Sequence, residues 1–134
     1  MEAKAASRRA KNQQRRSPLD GVPISWKDLF DTANVKTEAG TRLLEGRTPT
    51  KDAVCLERAT LAGLVCLGKT NMPDLAFSGL GNNPWTGTGA NPFDKDTKRV
   101  PGGSSSGAAL SVYHGLAAAG IGSDTAGSVR IPSA

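Results

Sequence analysis

Residues 100–110, V-P-G-G-S-S-S-G-A-A-L, and residues 122–132, G-S-D-T-A-G-S-V-R-I-P, decide how this chain is read. Each is a Gly/Ser-rich loop, and roughly one helix and one strand separate them. Glycine lets a backbone turn with positive φ and lets another group approach it closely. The serines supply hydroxyls, and the loop N–H groups form a nest of donors suited to an oxyanion. Two such loops around a packed helix and strand predict that hydroxyls distant in sequence meet at one site.

Working outward, residues 105–114 read as a helix with Ala108, Leu110, Val112 and Tyr113 on a mixed apolar face, ended by Gly115. Residues 116–121 are small and apolar, a buried strand against a close neighbour. Upstream, residues 22–27 hold β-branched and aromatic side chains and predict a strand with Lys27 at its end. Residues 51–62 carry Val54, Leu56, Ala59, Leu61 and Ala62 at helical spacing and stop at Gly63. Residues 64–67 follow as a short strand closed by Gly68. Helix followed by strand argues for an α/β fold with a largely buried sheet. Residues 32–49 read as loops around a short helical turn, 71–80 as a short helix, and 81–98 as a long ordered loop pinned by Trp85 and Phe93. The chain divides into a basic helix or arm over 1–16 and a main body over 17–134, joined by the turn S-P-L-D-G at 17–21.

The formal net charge of +5 sits in one place. Lys4, Arg8, Arg9, Lys11, Arg15 and Arg16 face only Glu2 within residues 1–16, and the remainder carries eleven basic and eleven acidic residues. No aromatic residue interleaves with the basic ones to stack on bases, so a solvated helix face or a frayed terminus is favoured over nucleic acid. Cys55 and Cys66 lack metal-type spacing and sit among apolar neighbours, which predicts buried small hydrophobes. No apolar run is long enough to span a membrane, and no apolar h-region follows the N-terminus. A cytoplasmic location fits best.

Two familiar motifs fail on these glycines. Residues 103–107, G-S-S-S-G, formally fit a nucleophile elbow with Ser105 as nucleophile, but the charged, proline-bearing residues 94–102 leave no strand before it. A phosphate loop fails because no Lys-Ser/Thr pair follows. His114, the one histidine, stands at a helix end beside Gly115, where capping or exposure is expected. Lys27 lies among Trp26, Leu29 and Phe30. Apolar company disfavours its ammonium form and lowers its pKa, as a lysine base requires. Its local sequence alone equally allows a head that reaches water or pairs with Asp28.

Four stretches in order, G-V-P-I-S-W-K-D at 21–28, G-K-T-N-M-P-D at 68–74, G-G-S-S-S-G at 102–107 and G-S-D-T-A-G-S-V-R-I-P at 122–132, resemble the amidase signature family of serine hydrolases. The match runs from about residue 20 to 134. The family's domains are several times longer, so the chain is expected to be the N-terminal part of one. The resemblance implies an α/β fold with a mixed sheet flanked by helices. It implies Ser128 as nucleophile, Ser104 as bridging serine and Lys27 as terminal base, with backbone N–H groups of Thr125, Ala126, Gly127 and Ser128 as oxyanion donors. It implies an acyl-enzyme, a small-molecule amide substrate, no cofactor and no metal, and it is compatible with a homodimer. It also implies a cis peptide bond at Gly103-Ser104. Two alternatives stand beside it: an amidotransferase A-type subunit that hydrolyses glutamine and feeds ammonia to a partner, and an inactive fragment. One departure is visible. Most members carry glycine where this chain has Ala126, which would be strained there if the backbone needs positive φ. Asp124 and Arg130 are expected to pair as loop supports.

Overall fold

Strand β1 (Pro23–Lys27) is the centre of the fold. Its residues 24–27 are all buried, yet only Ile24 and Trp26 are apolar. Alternation along the strand sends these two to one face and Ser25 and Lys27 to the other. The apolar face meets Leu56 and Ala59 of α2 (Val54–Leu61), with Val22, Phe30, Leu64 and Ile121 packed around them. Burying Leu56 there stabilises the fold by about 1.5–3 kcal/mol relative to leaving it in water. The polar face meets α3 (Ser106–Tyr113) and the loop before it, where Ser25 Oγ and Ser111 Oγ lie 2.8 Å apart. A strand with buried polar side chains is tolerable only when each finds such a partner.

The computed structural model describes residues 2–94 and 96–134; Lys95, within the expected loop 81–98, lies outside them. The remaining elements are α1 (Glu2–Lys11), β2 (Val65–Thr70), β3 (Ala119–Ile121) and α4 (Arg130–Ser133), with 3-10 turns at Arg42–Leu44 and Asp74–Ala76. The sheet order is β2-β1-β3, and both pairings are parallel. This is the expected α/β architecture; among the described residues antiparallel pairing occurs only as the isolated bridge Thr32–Val35. Parallel strands bring the carboxyl ends of β1, β2 and β3 to one edge, the place where open α/β sheets bind ligands.

Several expectations are corrected. The helix over 71–80 shrinks to one 3-10 turn, because Leu75 and Ala76 adopt φ of 48° and 62° and no helix continues through left-handed residues. On α3 the buried residues are Ser106, Ala108 and Ser111, while Val112 and Tyr113 are exposed. Small side chains are needed there because α3 lies close to β3: a Cβ on Gly120 would come within 3.0 Å of the Ala108 Cβ. Both cysteines are exposed, Cys55 on α2 next to the buried Leu56 and Cys66 on the edge strand β2. Phe93 is exposed and meets Tyr113 edge-on, with ring centroids 5.0 Å apart. Trp85 does pin the loop, its Nε1 donating to Asp74 at 3.1 Å and its ring lying 4.3 Å from the Arg42 guanidinium. Buried Asn83 joins it, its amide donating to the carbonyls of Gly40 and Met72 at 2.8 and 2.7 Å. The basic N-terminus is not frayed. Arg9 makes a two-pronged ion pair with the buried Asp20 at 2.8 and 2.7 Å, and this guanidinium holds the Asp20 carboxyl well below the usual carboxylate range.

Candidate active site

The carboxyl edge of the sheet gathers the candidate residues. Lys27, the last residue of β1, has no exposed surface. Its Nζ lies 2.6 Å from Ser104 Oγ and 2.8 Å from Ser123 Oγ. Two hydroxyls from two different loops thus enclose one amine, as the paired Gly/Ser stretches predict. Burial disfavours the ammonium and lowers the Lys27 pKa from 10.5 to about 8, with the charge of Asp124 acting in the opposite direction. Lys27 does not pair with Asp28, which takes Lys69 at 2.9 Å instead.

The three serines of 104–106 each tie a different part of the fold. Ser104 Oγ accepts from Lys27. Ser105 Oγ donates to the Ser123 carbonyl at 3.3 Å, and Ser105 N–H donates to the Ser128 carbonyl at 2.9 Å. Ser106 Oγ donates to the Asn71 carbonyl at 3.4 Å. The peptide bond Gly103-Ser104 is cis, as expected.

Ser128 lies in the turn between β3 and α4, beside Ser105 through that backbone hydrogen bond. Its hydroxyl is hydrogen-bonded to neither Ser104 nor Lys27, so the structure joins Lys27 directly to Ser104 and brings Ser128 alongside without closing the chain of hydroxyls.

Asp124 shapes this turn. Its carboxylate accepts from the N–H groups of Gly127, Val129 and Arg130 at 2.7, 3.0 and 3.1 Å, and from the Arg130 guanidinium at 3.0 and 2.9 Å. The Arg130 side chain first, then these amides, hold the Asp124 carboxyl far below the usual carboxylate range. The expected pairing of Asp124 with Arg130 is therefore present. The expected set of oxyanion donors is narrowed, because the Gly127 N–H is already given to Asp124. The amides of Thr125, Ala126 and Ser128 have no acceptor among the described residues. Ala126 is not among the residues with positive φ; that conformation falls on Gly127, at 113°. The alanine is unstrained, and the glycine that must remain is the next one.

Ser123 is the residue that sequence reasoning passed over. Its signal was its place in the second Gly/Ser loop, two residues after β3, whose pairing with β1 carries it to Lys27. His114 caps the end of α3, exposed, as expected. A cavity of about 420 Å³ between α3 and α4 is bordered by Ser105, Gly122, Val129 and Ile131, but none of Lys27, Ser104 or Ser128 lines it. Among the described residues no group of three His, Cys, Asp or Glu could hold a metal ion, and no helix is long and apolar enough to cross a membrane.

The chain resembles known proteins over nearly its whole length. The chain is 48% identical over 132 residues to the glutamyl-tRNA(Gln) amidotransferase A subunit of Anaeromyxobacter dehalogenans, covering 98% of this chain and 26% of that protein. The solved structure of the peptide amidase from Stenotrophomonas maltophilia superposes with a TM-score of 0.86 at 36% identity, over 98% of this chain and 28% of that one. An inhibitor-bound complex tied to the origins of an s-triazine catabolic enzyme gives 0.90 at 36% identity, over 98% and 29%. The chain thus spans about a quarter of the length of these relatives. The family model described as Amidase matches residues 1–134, and the chain belongs to the amidase family.

Proposed function

We propose that the protein of which this chain carries the motifs hydrolyses a carboxylic amide through Lys27, Ser104 and Ser128. The observation that carries the reading is the fully buried Lys27 amine in contact with Ser104 at 2.6 Å, beside the loop that presents Ser128. A serine hydroxyl becomes a competent nucleophile only when its proton is removed. In the proposed sequence Ser128 Oγ attacks the amide carbon, its proton passes to Ser104, and the Ser104 proton passes to the neutral Lys27 amine. The oxyanion takes hydrogen bonds from the amides of Thr125, Ala126 and Ser128. Collapse breaks the C–N bond, and the relay runs backwards to protonate the departing amine. Water then releases the acyl group from Ser128 as a carboxylic acid.

A second reading has its own support. The identity of 48% to an amidotransferase A-type protein favours glutamine as the amide and a partner that receives the ammonia. Both readings use the same three side chains. They separate on whether hydrolysis needs the partner and charged tRNA.

The test is covalent labelling by a serine-directed phosphonate with the modified residue mapped. Label on Ser128, lost in Ser128→Ala and strongly reduced in Lys27→Ala, is the expected result. Label elsewhere, or a Ser128→Ala protein that still hydrolyses amides, overturns the assignment.

A further inference from the structure

We propose that Ser123 is a positioning residue for Lys27: its hydroxyl accepts one N–H of the amine and so turns the nitrogen lone pair toward Ser104. This rests on the reading of Lys27 as the base. A neutral lysine has two N–H groups and one lone pair, and rotation about the Cε–Nζ bond leaves the lone pair without a fixed direction. Ser104 and Ser123 both lie within hydrogen-bond reach of Nζ, at 2.6 and 2.8 Å. When Ser123 takes an N–H, the Ser104 hydroxyl can meet the lone pair, which is the arrangement a proton transfer from Ser104 requires.

Ser123 is itself held in place. Its carbonyl accepts from Ser105 Oγ at 3.3 Å, and a Cβ on the preceding Gly122 would lie 2.6 Å from Ser105 Oγ. One end of the segment is fixed by β3, where Ile121 pairs with Trp26, and the other by the Asp124 carboxylate on Gly127, Val129 and Arg130. The charged groups that bear on Lys27 are few. Asp124, from the loop after β3, raises its pKa, while the loop before α3 faces it with the uncharged Ser104. In the turn just after its own strand, Asp28 is occupied by Lys69 of β2.

The role has a signature that space-filling lacks. A hydroxyl acceptor stabilises an ammonium more than a neutral amine, so removing it lowers the Lys27 pKa by about one unit, a tenfold change in the free-amine fraction below the midpoint. Turnover nevertheless falls, because the freed amine is no longer aimed.

The experiment is an NMR pH titration of the Lys27 side chain in the full 134-residue chain, as wild type, Ser123→Ala, Ser123→Thr and Ser123→Cys, with phosphonate labelling rates measured on the same samples. The expected result is a midpoint about one unit lower in Ser123→Ala and in Ser123→Cys, whose sulfur is a weak acceptor, with labelling slowed about tenfold. Ser123→Thr keeps the wild-type midpoint and rate. An unmoved midpoint in the folded Ala or Cys variant overturns the positioning role and leaves the assignment of Ser128 intact. A Ser128→Ala chain that still labels at the site overturns that assignment without touching the midpoint.

Discussion

Replacing Lys27 by methionine should raise stability at neutral pH and lower it at alkaline pH, and the reversal follows from the burial of the amine. Folding moves the Lys27 pKa from 10.5 down to about 8. Below pH 8 the amine is charged in the folded and unfolded chains alike, and the folded state bears the cost of burying that charge. Between pH 8 and 10.5 the unfolded chain holds a proton that the folded chain has released, so wild-type stability rises with pH across this window. The whole rise amounts to about 3 kcal/mol, at 1.36 kcal/mol per unit for a side chain with no exposed surface. Methionine has no such slope. It does strand the hydroxyls of Ser104 and Ser123, at a cost of about 1 kcal/mol each. The variant is therefore expected to be about 1 kcal/mol more stable than wild type at pH 7 and about 2 kcal/mol less stable at pH 10.5. Urea unfolding at both pH values measures this; other groups titrate equally in both proteins and cancel in the difference. A stability difference that stays constant from about pH 7 to 10.5 would refute the argument, since it would mean that Lys27 carries no perturbed proton.

The same proton sets a kinetic limb. Phosphonate labelling of Ser128 should rise about tenfold between pH 6 and 7 and level off above pH 9, following the free-amine fraction of a group with a pKa of about 8; a limb near 10.5 would contradict the burial effect. Gly127→Ala forces a side chain onto a φ of 113° and brings its Cβ within 2.8 Å of Ile131 Cδ1. Thermal melts should show a loss of about 1–2 kcal/mol, whereas Ala126→Gly relieves no strain and should not stabilise the chain. Arg9→Met leaves the Asp20 carboxylate buried without its guanidinium. The folded pKa of Asp20 lies below its ordinary 3.8, so its contribution is full above that value and fades as pH falls; the deficit of the variant in thermal melts should be large at about pH 7 and shrink at about pH 3.

The sheet was legible because its strands obey local rules. V-P-I-S-W-K and the small run before Gly122 read as strands, and β1 and β3 fall inside the ranges expected of them. The amphipathic helix over 51–62 is α2, starting three residues later at Val54. Periodicity misled where the burying surface is unusual. On α3 Val112 and Tyr113 point outward and Ser111 points inward with Ala108, because the neighbour it meets is the polar face of β1 with Ser25 on it. A hydrophobic count has no means of finding a buried serine pair. The site was half visible. Lys27 and Ser104 were marked by motif, but Ser123 reaches Lys27 only through the β1-β3 pairing, which is a property of topology. The donor role of Gly127 failed because Asp124, three residues earlier, folds back onto its N–H, and spacing alone does not tell which amides of a nest are already taken.

Two requirements of this site conflict, and the segment after β3 reconciles them. The turn that carries Ser128 needs an anion at its centre, since three amides converge on the Asp124 carboxylate. As the base proposed above, Lys27 needs the reverse: any nearby negative charge favours the ammonium and raises the pKa that burial has lowered. Neutralising Asp124 by protonation would remove the acceptor that the amides need. The chain instead gives the carboxylate its own cation, with Arg130 donating two hydrogen bonds to it at 3.0 and 2.9 Å. The guanidinium stands largely in solvent, where its own charge is cheaply hydrated, and the carboxylate keeps its oxygens for the backbone. Asp124 can therefore shape the loop at close range while its field on Lys27 is offset at longer range. The D-T-A-G-S-V-R spacing acquires a physical reason beyond shape: the acid and base of one turn are six residues apart so that the first turn of α4 returns the guanidinium to the carboxylate that starts it.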